Sequence, residues 1–218
     1  MPATRRFAFL LLSMVCFWQS ACHADVTLSL PGGVLQAGGS GTFAVTIQPT
    51  TGTELLSLYE VELLITPSAG TPGTTLAFAD PQSEDFLTQP NYLFFGDSDV
   101  NQGGFAATAL FSTNTLRDSI SVADFTASFN DVALTTPQLL FEVDLEHLIP
   151  VGVNPATLAG DTYTIEATLL TFEDSDFDPV VATASTGLIT IVAVPEPATA
   201  AWAGFGVAGM VMRRRRRR

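Results

Sequence analysis

The stretch that decides the fold is LLFEVDLE, residues 139–146, because its apolar side chains recur at every second position. Leu139, Phe141, Val143 and Leu145 fall on one side of an extended chain, and the acids between them fall on the other. A strand with one dry face and one wet face is typical of an antiparallel sheet that covers a core. This stretch therefore predicts a half-buried β-strand.

Similar alternation recurs on both sides of this stretch, in short runs that end at Gly, Pro, Asn or Asp. The pattern predicts further strands over residues 26–30, 42–47, 55–66, 75–79, 92–95, 105–111, 125–129, 162–172 and 188–194. About ten short strands without a helical period favour an antiparallel β-sandwich or jelly roll. We therefore expect an all-β domain over residues 25–193.

The start of the chain has the features of an export signal. Arg5 and Arg6 precede an uncharged apolar run over residues 7–18, and small residues follow it. We expect residues 1–24 to be a signal peptide that is cleaved after Ala24. Lipid attachment at Cys22 is the alternative, although the three residues before it lack the aliphatic residue usually found there. Both cysteines of the sequence lie in this segment, so the mature chain is expected to contain neither a disulfide nor a thiol nucleophile.

The end of the chain reads VPEPATAAWAGFGVAGMVMRRRRRR, residues 194–218. Its apolar part, residues 198–212, is long enough for a helix of roughly 22 Å, against a hydrocarbon layer of about 30 Å. We predict a short transmembrane helix that crosses only marginally. The six arginines after it would stay on the cytoplasmic side of the inner membrane, which leaves the body of the protein outside.

Three features in this order resemble the PEP-CTERM sorting signal of bacterial envelope proteins. They are a Pro-Glu-Pro motif, an apolar stretch and a terminal arginine run, and the motif residues are Pro195, Glu196, Pro197, Arg213, Arg214 and Arg215. The resemblance implies recognition by an exosortase, a membrane-embedded protease-transpeptidase, and cleavage near Pro-Glu-Pro. It also implies a passage through the inner membrane, and then the cell surface, the extracellular matrix or its exopolysaccharide as the destination.

A second resemblance covers most of the body. An early GGSGTFAVTI strand (38–47), a long LYEVELLITP strand (58–67) and a late pair, QLLFEVDL (138–145) and AGDTYTIEATLLTF (159–172), are similar in order to cohesin-like sandwich domains. The resemblance implies a β-sandwich that binds dockerin modules or related partners through a sheet face.

The charge of the body limits its partners. Residues 25–194 contain 21 acids and one base, Arg117, which gives a net charge of −20. Such a surface repels nucleic acid and anionic lipid. It is compatible with a neutral polysaccharide, a divalent cation or no ligand.

Few residues of the body could carry catalysis. The only histidine, His147, lies at the end of a predicted strand, where we expect a surface or turn residue and not a catalytic one. One histidine without cysteine also makes a zinc-type site improbable. A glycosidase could use any close pair of the acids. Tyr59, Tyr92 and Tyr163 are the aromatic residues that could stack on a sugar, since both tryptophans lie in the two end segments.

Two acidic stretches are candidate calcium sites, because calcium takes several oxygen ligands. The first offers Asp97, Asp99 and Asn101, although its glycine comes one place later than in an EF-hand loop. The second, residues 173–178, contains four carboxylates in six residues, and its candidate ligands are Asp174, Asp176 and Asp178. Solvated turns are the alternative for both, because Asp and Asn are common turn residues.

Taken together, the sequence predicts a non-enzymatic structural or adhesive protein of the envelope or extracellular matrix. The alternatives are a cohesin-like or carbohydrate-binding module with a specific ligand and, third, a secreted hydrolase. The predicted partners are an exosortase and an exopolysaccharide or envelope protein, without nucleic acid. Calcium is the one cofactor that the residues suggest.

Overall fold

Two β-sheets packed on one shared core make up the computed structural model, which describes residues 25–106, 108–112 and 114–194. The strands are β1 Val26–Ser29, β2 Gly33–Gln36, β3 Ser40–Pro49, β4 Glu54–Leu56, β5 Leu58–Ala69, β6 Thr75–Phe78, β7 Leu110–Ser112, β8 Ser119–Phe125, β9 Val132–Leu134, β10 Gln138–Leu148, β11 Thr162–Glu173, β12 Ala182–Ala184 and β13 Gly187–Val192. Two short 3₁₀ helices, Asp85–Thr88 and Pro155–Thr157, lie between them.

The five-stranded sheet has the order β12-β1-β3-β10-β6, and the six-stranded sheet has the order β2-β13-β11-β5-β8-β7. A small third sheet pairs β4 with β9. All pairs are antiparallel except β1 with β12 and β13 with β2. The two parallel pairs flank two crossovers, in which the chain passes from the five-stranded to the six-stranded sheet after β1 and again after β12. The all-β sandwich expected from the alternation is therefore confirmed.

The decisive stretch lies in β10, between β3 and the edge strand β6 of the five-stranded sheet. In β10, Phe141, Val143 and Leu145 are fully buried, while Glu142 and Asp144 remain partly exposed. Burial of side chains of this size stabilises the fold by about 1.5–3 kcal/mol each. The pairing of β10 with β3 shifts between Leu139 and Phe141, so the simple alternation begins only after this irregularity.

An aromatic cluster joins the two sheets. The ring of Tyr59 in β5 stacks on Phe141 in β10 at 6.2 Å, on Phe172 in β11 at 6.4 Å and on Phe94 at 5.6 Å between ring centroids. Phe94 belongs to a segment of turns and not to a strand. Aromatic pairs at these separations add stability beyond the area they bury.

Several predicted strands differ from the observed ones. Residues 92–95, which were expected to be a strand, form turns whose apolar side chains are mostly buried. The strand expected over residues 105–111 is shorter and is observed as Leu110–Ser112. The strand expected over 125–129 is observed earlier in the chain, as Ser119–Phe125. Apolar content alone predicted residues 92–95 wrongly, because a buried turn and a buried strand share it. In the other two runs the misleading residues, Phe105 and Phe129, lie in exposed loops.

All the strands described here and their shared hydrophobic cluster lie within residues 25–194. These residues share one hydrophobic core, and we expect them to fold as a separate domain. Within it, the structure contains no helix with the length and apolar character needed to cross a membrane. The predicted helix at 198–212, the sorting motif and the signal peptide lie outside the described residues.

Candidate functional site

The outward face of the six-stranded sheet carries exposed apolar side chains on four of its strands. Phe111 in β7 is 46% exposed, Leu169 in β11 is 38% exposed and Leu188 in β13 is 49% exposed. Val34 in β2, which pairs with Thr190 of β13, is 65% exposed. Register places Phe111 opposite Ser121, Ser121 opposite Glu62, and Glu62 opposite Leu169, so one row crosses four strands. We call this surface the outer sheet face.

Leu169 reaches this face because of an irregularity in its strand. The pairing of β11 with β5 shifts between Ala167 and Leu169, and Thr168 and Leu169 are both exposed. A β-bulge inserts one extra residue and changes the side to which the following residues point. The alternation of the sequence therefore gave no indication of which leucine faces outward.

Acidic side chains lie among these apolar ones. Glu60 and Glu62 in β5 and Glu166 in β11 lie on the outer sheet face, where Glu166 pairs with Leu64 and Glu62 pairs with Leu169. The one arginine of the described residues, Arg117, forms an ion pair with Glu146 of the five-stranded sheet. The outer sheet face is therefore both apolar and negatively charged.

Under this face lies a buried polar network around Asp124, an inward residue of β8. Its carboxylate accepts hydrogen bonds from the Tyr92 hydroxyl at 2.6 Å and from the N–H of Phe125 at 2.8 Å. The Tyr59 and Tyr92 hydroxyl oxygens are 3.2 Å apart. Burial raises the pKa of Asp124, and hydrogen bonds from Ser98 and Tyr92 oppose that rise.

The sugar-stacking prediction is wrong for Tyr59 and Tyr92. Both are almost completely buried, and burial raises the pKa of each hydroxyl. Their rings fill the core, and their hydroxyls satisfy Asp124 and the carbonyl of Leu140. Neither ring presents a face to a ligand.

His147 and Tyr163 form a second buried pair. The surface position predicted for His147 is wrong, because β10 extends to Leu148 and puts the imidazole on the dry side. Its Nδ1 accepts a hydrogen bond from the N–H of Gly38 at 3.1 Å, and its Nε2 lies 3.4 Å from the Tyr163 hydroxyl. Since Nδ1 is an acceptor, the neutral ring carries its proton on Nε2. Burial lowers the pKa of His147, and Asp161 partly offsets this.

Tyr163 also lines a cavity of about 340 Å³ beside Arg117 and Leu116. Its hydroxyl donates to the Thr74 hydroxyl at 3.2 Å, and Thr74 in turn lies 3.2 Å from the Asp161 carboxylate. The ring is only 2% exposed, so the sugar-stacking prediction is also wrong for Tyr163. These contacts hold the two sheets together below the cavity.

In the first acidic stretch, the side chains are bound to different segments. Asp97 accepts hydrogen bonds from the N–H and the hydroxyl of Ser128, and buried Asp99 accepts one from the N–H of Ala106 at 2.9 Å. Asn101 is exposed. The two carboxylates fasten this loop to its surroundings.

The second acidic stretch closes on itself. One oxygen of Asp174 accepts hydrogen bonds from the N–H groups of Asp176 and Asp178, each at 2.9 Å. The side chains of Asp176 and Asp178 are exposed. Within the described part of the chain, no three His, Cys, Asp or Glu side chains are placed to hold one metal ion. Calcium binding stays a prediction, which a calcium-dependent melting temperature would test.

No family model and no curated protein matches this chain, whereas several solved structures are similar to it. A cohesin from the OlpC cohesin–dockerin complex of Clostridium thermocellum has a TM-score of 0.49 and 12% identity, over 79% of this chain and 97% of that one. The third ScaB cohesin of R. flavefaciens, in complex with a group 1 dockerin, has a TM-score of 0.49 and 16% identity, over 81% and 99%. A non-cellulosomal cohesin from the archaeon Archaeoglobus fulgidus has a TM-score of 0.46 and 13% identity, over 78% and 92%.

Proposed function

We propose that this chain is an exported structural or adhesive protein of the bacterial cell surface or extracellular matrix, and that it acts by binding and not by catalysis. The observation that carries this proposal is the outer sheet face. It leaves Phe111, Leu169 and Leu188 exposed among glutamates, on strands whose opposite side is packed in the core.

The exposed apolar side chains are spaced across the outer sheet face, with Ser121 and Glu62 between Phe111 and Leu169. A partner that covers this face would therefore contact apolar and polar groups together. Here the sheet holds the side chains on hydrogen-bonded strands, so little ordering is required when a partner binds. The glutamates favour a partner that is positively charged or that brings hydrogen-bond donors.

The route to the surface is supported by the sequence alone. The signal peptide at residues 1–24 would start export, and the apolar stretch at 198–212 would hold the protein briefly in the inner membrane. The PEP-CTERM-like tail would then present Pro-Glu-Pro to an exosortase. The destination in this proposal is the cell surface or matrix, with an exopolysaccharide or an envelope protein as the partner.

A cohesin-like module with one specific protein partner is the second candidate. The outer sheet face supports it as well, because an exposed apolar and acidic surface suits a defined protein interface. The two candidates differ in the expected behaviour. An adhesive domain attaches to the matrix as a whole. A cohesin-like module binds a single partner protein through this face, one partner molecule for each domain.

A charge placed on the outer sheet face tests the proposed binding. Purified domain 25–194 carrying Leu169→Asp is expected to be retained on extracellular matrix from cells without their own copy at least tenfold less than wild type. The reason is that a desolvated carboxylate at an interface costs more than 1.4 kcal/mol, which corresponds to tenfold in affinity. Retention is measured by sedimenting the matrix and quantifying the bound domain.

Val151→Asp is the matched control, because Val151 is fully exposed in the turn that follows β10, a strand of the other sheet. It adds the same charge and should leave retention unchanged. Equal retention of Leu169→Asp and wild type, or an equal loss in both variants, contradicts a binding role for the outer sheet face.

A further inference from the structure

A small cleft opens at one end of the six-stranded sheet, where β5 begins and β8 and β11 end. Its volume is about 140 Å³, and its lining includes Leu58, Phe125, Phe129 and Phe177, with the serines Ser57 and Ser175. An α-helix is about 10 Å across, so the cleft is too small for a folded element and can take a single side chain. We call it the aromatic cleft.

Two of its phenylalanines are held in a backbone conformation that such residues rarely adopt. Phe129 has a φ of 56° and Phe177 has a φ of 63°, although neither is glycine. The left-handed region is unfavourable for a bulky residue, and such outliers cluster at binding sites. The two rings are also 60% and 71% exposed, so the core does not explain their position.

Hydrogen bonds to carboxylates fix both turns. Next to Phe129, the N–H and hydroxyl of Ser128 donate to Asp97. On either side of Phe177, the N–H groups of Asp176 and Asp178 donate to Asp174. The rings are therefore presented by rigid turns, at little further cost in conformational entropy when a ligand binds.

Ser175 and Thr126 add polar groups to the lining. The N–H and hydroxyl of Ser175 donate to Asp131 at 2.6 and 2.9 Å. Thr126 is 1% exposed, and its hydroxyl oxygen has no hydrogen-bond partner within the described ranges. An unused buried hydroxyl among the lining residues is a second sign of a binding site, because such groups are normally paired.

The charge around the aromatic cleft is negative. Asp97, Asp131 and Asp174 accept hydrogen bonds from serine hydroxyls and backbone N–H groups, which carry no charge. These donors therefore do not neutralise the carboxylates. Asp176 and Asp178 flank Phe177 and are exposed. The single arginine of the described chain is engaged with Glu146, which lies in the other sheet. The field at the cleft therefore attracts a cation.

We propose that the aromatic cleft binds one cationic side chain, an arginine or a lysine on an exposed segment of a partner protein. A cation over the faces of aromatic rings is attracted by their quadrupoles, and the surrounding carboxylates add Coulomb attraction. The volume matches a single long side chain and is too small for a folded element. This inference rests on the proposed binding role, for which it names the chemistry of the partner.

The test is an NMR titration of ¹⁵N-labelled domain 25–194 with the capped peptide Gly-Arg-Gly. We expect saturable shifts of the backbone amides at residues 125–129 and 174–178. The same peptide with citrulline, a neutral analogue of equal size, should bind at least tenfold more weakly. Phe177→Gly should also weaken the arginine peptide at least tenfold, while its melting temperature stays at or above the wild-type value, because glycine tolerates a positive φ.

Phe105→Gly is the control for exposed aromatic rings, since Phe105 is 88% exposed and is not among the cleft residues. It should leave binding unchanged. The proposal is overturned if the arginine peptide binds Phe177→Gly as tightly as it binds wild type. It is also overturned if wild type binds the citrulline peptide as tightly as the arginine peptide. If Phe177→Gly lowers the melting temperature, Phe129→Gly takes its place, and it should also bind the arginine peptide at least tenfold more weakly than wild type. A negative titration with intact matrix retention leaves the outer sheet face as the binding surface.

Discussion

Replacing Asp124 with alanine is expected to lower the free energy of unfolding by about 3–5 kcal/mol. Asp124 is 1% exposed, and its carboxylate accepts hydrogen bonds from the Tyr92 hydroxyl and from the N–H groups of Phe125 and Val100. The substitution removes the acceptor that these three donors share and opens a small cavity beside the Tyr92 hydroxyl. Each buried donor left unpaired costs about 1–3 kcal/mol.

Urea unfolding at neutral pH measures this change. Asp85→Ala is the matched control, because Asp85 is exposed and its side chain lies at the surface of a short 3₁₀ helix. It should change stability by less than about 0.5 kcal/mol. A loss for Asp124→Ala that is no greater than the loss for Asp85→Ala would show that the buried network is not formed as described.

Gly187→Ala is expected to destabilise the domain by about 3 kcal/mol. Gly187 begins β13, directly after the crossover from the five-stranded to the six-stranded sheet. It packs against the similar crossover that follows β1. A Cβ at this position would lie 2.2 Å from the carbonyl oxygen of Pro31 and 3.1 Å from its carbonyl carbon. Both are backbone atoms, so relief requires the two crossovers to separate.

This separation would also strain the hydrogen bonds that join the crossovers. The N–H of Leu30 donates to the Ser185 hydroxyl at 3.0 Å, and the N–H of Ser185 donates to the carbonyl of Leu28 at 2.9 Å. We expect the melting temperature to fall by about 6–12 °C, at about 2–4 °C per kcal/mol for a domain of this size.

Gly32→Ala provides the comparison, because its added Cβ meets the Leu188 carbonyl oxygen at an ordinary 3.4 Å. Its melting temperature should remain within about 2 °C of the wild-type value. If Gly187→Ala melts at the same temperature as Gly32→Ala, the close approach of the two crossovers is wrong.

The sequence predicted the parts of the fold that follow a regular period. Leu145 and His147 are two residues apart in β10 and lie on the same side, so a longer reading of the alternation would have placed the histidine in the core. The expectation of a surface histidine failed because it relied on residue type at the predicted end of the strand. The position within the period was the better indicator.

Other features had no periodic signal. The bulge in β11 turns Leu169 outward, and nothing in the run TLLTF distinguishes it from Leu170. Pairing between distant strands decides which residue is displaced, and that depends on the whole sheet. The outer sheet face could therefore be expected as a type of surface, but its apolar members could not be named.

The aromatic cleft could be predicted from the sequence only in part. Phe129 and Phe177 each lie between turn-forming residues, in SFN and DFD. A phenylalanine in such a polar turn is a sign of an exposed aromatic ring, although the pattern over residues 125–129 was interpreted as a strand. The convergence of the two turns on one cleft depends on the register of β5 with β8 and β11, which the sequence does not state.

The most direct test of the proposed function is mass spectrometry of both ends of the mature protein, purified separately from the surface, matrix and inner-membrane fractions. In the surface and matrix fractions we predict a chain that begins at Asp25, ends near Pro195-Glu196-Pro197 and lacks the arginine run. In cells without an exosortase, we predict that this processed chain is missing from both fractions. A chain that keeps its arginines through Arg218 and remains in the inner membrane would contradict the account.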